Sequence, residues 1–315
     1  MRKFGLKLFL FFAFAFLVYC GFVILVGELG DDKLKKNLIY GKGKAGHTYS
    51  RIRDAEMVKN PDLLIFGTSL AFKSYDTRIL EANGIHAFNA GTPGETPLQT
   101  EFMIRRYLKK IGPEYVIYEV NAEWFTTTRI ESALDIISNL PYIDWETIKM
   151  VVRMNDIKVY NNLIYSFYKA HLAHDDDFVE PVRKKADLYI PGGGFVETRI
   201  MHNNPVEISP RKLYFSEKQK RAFERSLDYM DNLGVKYILI MSPITNHRYN
   251  AFENSKDIDE YFSSKGTYKN FNYIEELDDS LDFGDTRHLN QNGVIIFDRE
   301  VIKYLKEDLG LFKEK

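Results

Sequence analysis

A chain of 315 residues with 45% hydrophobic, 28% charged and 14% aromatic side chains has the composition of a folded globular protein, long enough for one large domain or two small ones. Its 43 basic and 44 acidic residues leave a net charge of −1, which excludes the broad basic field that nucleic acid attracts. The single cysteine, Cys20, excludes an internal disulfide, and the absence of repeats at 20 glycines and 10 prolines excludes fibrous and low-complexity architectures.

Taken in chain order, the first element is residues 8–26, LFLFFAFAFLVYCGFVILV, 19 residues without a charge. That is about the length needed to cross a ~30 Å hydrocarbon core at ~1.5 Å per residue. Arg2, Lys3 and Lys7 precede the stretch, and Glu28, Asp31 and Asp32 follow it. This asymmetry predicts a cytoplasmic N-terminus, with the remainder periplasmic or otherwise outside a bacterial cytoplasmic membrane. A cleaved signal peptide would have a shorter apolar region and a small-x-small site, and none follows Val26. Residues 1–27 are therefore expected to be a retained single-pass anchor, with Cys20 inside its helix as a small hydrophobe. Residues 28–60, charged and carrying Gly41, Gly43 and Gly46, read as a stalk. GKGKAG within it lacks the spacing and flanking strand of a phosphate loop.

From Asp62 a strand–helix rhythm begins. Residues 63–66 form a short apolar run, as in a strand covered on both faces. Asp76 caps a helix to about Ala82, closed by Asn83-Gly84, and residues 85–89 are a second strand ending at Ala90-Gly91. Thr96-Pro97 starts a helix to about Lys110, Gly112-Pro113 breaks it, and residues 115–120 are a third strand. The rhythm resumes with a helix over 216–233 stopped by Gly234, a strand over 235–241, a fifth strand near 272–274 and a final helix from Asn290 to about Leu305. Alternation of this kind predicts a parallel sheet with helices on both faces, whose sites form at the carboxyl ends of the strands. Ser69, Gly91 and Asn121 all fall there. Residues 122–212 fit the rhythm poorly and read as a largely helical insertion over the active edge, with one aromatic-rich helix from Asp144 to Ala173 and a flexible Gly192-Gly193-Gly194. The catalytic domain is expected to span residues 61–315 around that insertion.

Asp285 and His288, three apart in DTRHLN, suit a carboxylate that orients a histidine base. A serine hydroxyl needs such a base within hydrogen-bond reach, and Ser69 ends the first strand. Acyl transfer also needs donors for the developing oxyanion, for which the Ser69 N–H, the Gly91 N–H and the Asn121 amide are candidates. Alone, a strand-end serine is usually a turn or cap residue; the joint order of the parts is what points to a site. Trp124 and Phe125 are candidates to stack on a sugar, against core packing as the ordinary reading, and His247 and Arg248 are candidate contacts to an anionic or sugar substrate. Ser242 is a weak rival nucleophile. His171 and His174, one helical turn apart, are explained equally by a solvated helix end, so no metal or cofactor is expected.

In four short blocks between residues 65 and 295 the chain resembles the SGNH (GDSL-like) hydrolases. Ile65-Phe66-Gly67-Thr68-Ser69 matches the nucleophile block, Asn89-Ala90-Gly91 the glycine block and Glu119-Val120-Asn121 the asparagine block. Asp285-Thr286-Arg287-His288, followed by Leu289-Asn290 and Gly293, matches the last. Two departures stand out: Thr68 replaces the usual aspartate before the serine, and Glu119 and Ala122 replace the glycine and aspartate of the third block. The resemblance implies an α/β, flavodoxin-like three-layer sandwich around a central parallel sheet, with Ser69, His288 and Asp285 as triad and Ser69, Gly91 and Asn121 as oxyanion hole. With the anchor, the chain looks like the branch that includes alginate O-acetylation proteins and the teichoic-acid D-alanine transfer protein. That branch implies acyl transfer onto a cell-surface polysaccharide and a membrane-bound O-acyltransferase partner. A carbohydrate esterase of the same type, or a non-catalytic polysaccharide-binding or scaffold subunit, are the alternatives.

Overall fold

The computed structural model describes residues 2–312 except Asp32, His174–Asp176 and Pro205. Two compact units result, one of residues through Lys42 with Ala133–Phe178, the other of Gly43–Ser132 with Val179–Lys315.

The first unit contains α1 (Arg2–Leu29), long and apolar enough to cross a membrane. Phe9, Phe11, Phe14 and Leu17 are exposed along it. Its C-terminal half carries the packing, where Tyr19 Oη donates to Asn161 Oδ1 at 2.5 Å and Tyr165 Oη donates to Glu28 Oε1 at 2.9 Å.

The second unit opens with α2 (Thr48–Met57), within the segment read as a stalk. The reading fails there because the buried face of this helix mixes polar with apolar side chains, Thr48 and Arg51 beside Ile52 and Ala55: Arg51 lies 4.1 Å over the Phe72 ring while its Nε donates to the Gly194 carbonyl at 2.8 Å. Next come β1 (Leu63–Phe66), α3 (Ser69–Ser74), α4 (Thr77–Ala82), β2 (Ala87–Asn89), α5 (Pro97–Ile111) and β3 (Tyr115–Glu119). Asp76 caps α4 through the Arg78 N–H, and Thr96 and Gln99 form a capping box on α5. A 3-10 turn over Ala122–Thr126 precedes α6 (Glu131–Asn139).

The expected single helix over 144–173 is two helices, α7 (Trp145–Met154) and α8 (Ile157–His171). Asn155 takes the left-handed conformation at φ 53° and Asp156 caps the second helix through the Lys158 N–H. Three short strands, β4 (Arg183–Lys184), β5 (Asp187–Tyr189) and β6 (Val196–Thr198), pair antiparallel. The three glycines expected to be flexible form the turn between β5 and β6 and dock on β2: the Gly193 carbonyl accepts the Asn89 N–H at 3.0 Å. Residues 179–212 thus belong to the sheet unit and not to the helical one.

The chain closes with α9 (Glu217–Asn232), β7 (Lys236–Met241), α10 (Asn246–Tyr249), α11 (Ser255–Ser263), β8 (Tyr268–Asn270) and α12 (Gln291–Lys303). The fifth strand of the main sheet is therefore earlier than expected, and residues 272–274 lie past it. The sheet order is β2-β1-β3-β7-β8, all parallel. On one face Leu63, Ile65, Ile117, Ile238 and Ile240 pack in one core with Phe297 and Val301 of α12. On the other, Tyr118 meets Phe223 of α9 at 5.2 Å between ring centroids. Helices on both faces explain why β1, β2 and β3 are buried along their whole length and read as apolar runs without alternation. This is a three-layer α/β sandwich with the flavodoxin-like strand order, whose switch point lies between β1 and β3.

Candidate active site

β1 and β3 end side by side at that switch point, Phe66 opposite Tyr118. The turn after β1 passes through Gly67 at φ 143°, a conformation that favours glycine, and a Cβ there would sit 2.7 Å from the Glu119 Cβ. Thr68 then caps α3 by accepting the Leu70 N–H at 3.1 Å. Ser69 is the first residue of α3, so its N–H has no intrahelical acceptor.

The turn Asp285–His288 brings the other two groups. His288 Nε2 lies 2.7 Å from Ser69 Oγ, and His288 Nδ1 lies 2.8 Å from Asp285 Oδ2. Asp285 Oδ1 accepts the backbone N–H groups of Arg287 at 2.8 Å and His288 at 2.9 Å. Burial pushes the Asp285 carboxyl up, but the His288 ring and these backbone donors outweigh it and hold the group well below the usual carboxylate range. The carboxylate is therefore ionised and accepts a hydrogen bond from the Nδ1–H, leaving Nε2 free to take the Ser69 proton.

Around this chain the three oxyanion candidates differ. Asn121 follows β3; its Oδ1 accepts the Glu123 N–H at 3.1 Å, and its Nδ2 is buried without a partner among the described residues. A buried, unpartnered amide donor is costly and calls for an acceptor. The Gly91 N–H, by contrast, already donates to Asn89 Oδ1 at 3.1 Å. Gly91 serves instead by close approach, since a Cβ there would come within 2.8 Å of the Ala71 Cβ and 2.9 Å of the Thr68 carbonyl. Of the three candidates, the donors without an acceptor among the described residues are the Asn121 amide and the Ser69 N–H.

The two departures from the family pattern meet each other in space. Glu119 Oε2 accepts both the Thr68 N–H at 3.0 Å and the Thr68 hydroxyl at 2.8 Å. Burial of Glu119 pushes its carboxyl up to about 7 against those donors, and Glu119 Oε1 has no partner among the described residues. Burial likewise pushes Glu95, which accepts from Thr92, up to about 8. The sequence marked Thr68 and Glu119 as oddities 51 residues apart. Their pairing follows from the register of β1 on β3.

The remaining candidates divide. Arg248 and Trp124 line one cleft with Glu123 and Arg287, whereas His247 lines another with Pro210, Asn250 and Leu277 and pairs with Asp279. Phe125 is core, packed on Phe215, Phe223 and Phe262. Ser242 is buried, with its hydroxyl 3.1 Å from the Tyr75 hydroxyl. His174 lies outside the described residues; His171 packs against Phe167 at 4.7 Å. Among the described residues no group of three or more His, Cys, Asp or Glu is placed to hold a metal.

No protein-family model and no curated protein matches the chain. Among solved structures, one described as an acylhydrolase from Bacteroides fragilis aligns at TM-score 0.38 and 9% identity, over 82% of this chain and 98% of its own. A GDSL-like lipase from Bacteroides thetaiotaomicron aligns at TM-score 0.38 and 8% identity, over 81% and 98%. A gut microbial diltiazem-metabolizing enzyme aligns at TM-score 0.25 and 12% identity, over 79% of this chain and 48% of its own.

Proposed function

We propose that this chain is a membrane-anchored serine enzyme of acyl-ester chemistry that moves an acyl group, O-acetyl in the simplest case, onto a cell-surface polysaccharide. The observation that carries the reading is the unbroken chain Ser69–His288–Asp285, with contacts of 2.7 and 2.8 Å, beside the unpartnered Asn121 amide. Ser69 Oγ attacks the ester carbonyl while His288 Nε2 takes its proton, and the oxyanion is received by Asn121 Nδ2 and the Ser69 N–H. His288 then returns the proton to the leaving alcohol, giving acyl-Ser69. An acceptor hydroxyl, deprotonated by His288, attacks that ester and regenerates the serine.

Two features support the setting. The basic residues Arg2, Lys3 and Lys7 lie in the first turns of α1, ahead of its charge-free stretch, which favours a cytoplasmic N-terminus and an extracytoplasmic site. The bonds from Tyr19 and Glu28 to α8 make α1 part of a folded unit, which favours a retained anchor over a cleaved signal. A membrane-bound O-acyltransferase that exports the acyl group is the partner such chemistry calls for. Hydrolysis is the second reading, and the exposure of the His288 side chain, 20%, favours it by leaving room for water as acceptor.

An activated ester tests the proposal. Wild type is expected to form an acyl adduct on Ser69, seen as a mass shift, that is absent in Ser69→Ala. Neither adduct nor turnover in wild type would favour a non-catalytic binding or scaffold role. If the ester is consumed and an added glycan stays unmodified while free acid accumulates, the chain is an esterase.

A further inference from the structure

Glu123, two residues after Asn121, is surrounded by three guanidinium groups from three separate segments. Arg248 gives it two bonds, Nε to Oε2 at 2.9 Å and Nη2 to Oε1 at 2.6 Å. Arg287 Nε reaches Oε2 at 3.1 Å, and Arg211 Nη2 reaches Oε1. Burial raises the Glu123 carboxyl, but Arg248 and Arg287 outweigh it and lower its pKa, so the group is a carboxylate. One carboxylate cannot neutralise three guanidinium groups. The cleft of about 550 Å³ that they line also carries Arg129 and Lys212, giving five cationic side chains against one carboxylate, 5 − 1 = +4. The whole chain has a net charge of −1, so this excess is local and not a product of composition. Trp124 lies in the same cleft with Arg129 5.3 Å from its ring centroid. Like charges gathered at close range repel one another, so an excess of this kind favours an anion among them.

Its position is equally specific. The cleft is assembled at the carboxyl ends of β3 and β7 and from the turn that carries His288, since Glu123 follows Asn121, Arg248 lies on α10 and Arg287 precedes His288. Two residues of extended chain span at most ~7 Å, so a group bound there lies within one substrate's length of the Asn121 amide.

We infer that this cleft is an anion subsite that receives a carboxylate or phosphate group of the substrate beside the ester being made or broken. Planar guanidinium groups fixed by a shared carboxylate present their remaining N–H donors in a set geometry, which suits oxyanions with two or three acceptor oxygens. Its place in catalysis rests on the acyl-ester reading above; its binding of anions does not.

Binding is tested without turnover. The chain has two tryptophans, Trp124 and Trp145, so Trp145→Phe leaves Trp124 as the only indole reporter. Titration with inorganic phosphate, glucuronate and glucose is expected to give a saturable change in Trp124 fluorescence with at least one of the two anions and none with glucose. The tighter of the two anions identifies the source. Arg211→Gln and Arg129→Gln should each raise Kd about tenfold, the effect of losing one charge-assisted bond. Arg299→Gln, at an exposed pair with Glu276, controls for net charge and should leave Kd unchanged. No saturable change with either anion, equal binding of glucose, or the same Kd in the arginine variants overturns the subsite.

Kinetics then place it relative to Ser69. Wild-type kcat/KM is compared for 4-nitrophenyl hemisuccinate against the butyrate, and for 4-acetoxybenzoate against the corresponding amide. The ester with its charge on the side that binds the cleft should be favoured, and Arg211→Gln should reduce that preference about tenfold. Anion binding without any ester turnover would remove the enzymatic reading and leave the subsite; turnover with no charge preference and no anion binding would do the reverse.

Discussion

The sheet unit contains two histidine–aspartate pairs of nearly the same construction. Asp285 accepts the N–H groups of Arg287 and His288 and then the His288 ring at 2.8 Å. Asp279 accepts the N–H groups of Asn246 at 2.6 Å and His247 at 3.0 Å and then the His247 ring at 2.6 Å. Locally each is a carboxylate capping a turn and orienting an imidazole. They differ in what the far ring nitrogen meets. His288 Nε2 meets Ser69 Oγ, whereas no hydroxyl bonds His247 Nε2 among the described residues, and the His247 side chain is 58% exposed. Orientation of a histidine by a carboxylate is therefore common structural chemistry. A nucleophile delivered from the end of β1 and an unpartnered amide delivered from the end of β3 make one pair a candidate for catalysis.

The sharpest break between the pairs comes from removing the groups that distinguish them. Ser69→Ala is expected to lower kcat on an activated ester by ~10⁶-fold, and Asp285→Asn by ~10⁴-fold through the wrong imidazole tautomer. His247→Ala should change kcat/KM less than twofold. A His247→Ala loss comparable to that of Asp285→Asn would mean that the wrong pair has been assigned. The next effect concerns the oxyanion. Asn121→Ala should cost ~10²–10³ in kcat with little change in KM, because the amide acts on charge that develops only in the transition state. A rise in KM at constant kcat would make Asn121 an ordinary substrate contact.

How much of this could be read from the sequence follows from where each interaction lies along the chain. β1, β3 and β7 were legible because strands covered on both faces read as uninterrupted apolar runs. Ser69, His288 and Asp285 were legible because each stands next to such a run or beside its partner. β8 was displaced in the reading because it is three residues of polar, partly exposed edge with no apolar signal. The break at Asn155 was hidden by helical patterning on both sides of it. α2 reads as stalk in the sequence because its burial depends in part on Arg51 meeting Phe72 and Gly194, the latter 143 residues away. Of the guanidinium cluster only Arg248 is legible as an anion contact, because Glu123, Arg211, Arg248 and Arg287 come from four segments. The available signal is that Glu123, Arg248 and Arg287 each follow a strand end or a candidate site residue.

Behind Ser69 lies one more difference between the two pairs, and it has the smallest expected effect. Glu119, which holds Thr68 in the nucleophile turn, is fully buried, and no equivalent carboxylate backs the His247 pair among the residues that line its cleft. The folded protein keeps the Glu119 proton up to about pH 7, whereas the unfolded chain releases it near the ordinary glutamate value. Between those values the unfolded state binds fewer protons, so this group's contribution to stability is complete below about pH 4.5 and falls as pH rises to about 7. A separation of this size corresponds to on the order of 3 kcal/mol at most. Glu119→Gln retains an oxygen acceptor for Thr68 and cannot ionise, so urea midpoints measured from pH 5 to 7 should fall more steeply in wild type than in the variant. Glu95, raised to about 8, should leave a residual decline above pH 7 in both. Parallel wild-type and variant curves would mean that Glu119 is ionised in the folded state throughout. Thr68 would then be held by a charged acceptor, and the turn carrying Ser69 would lose its sensitivity to alkali.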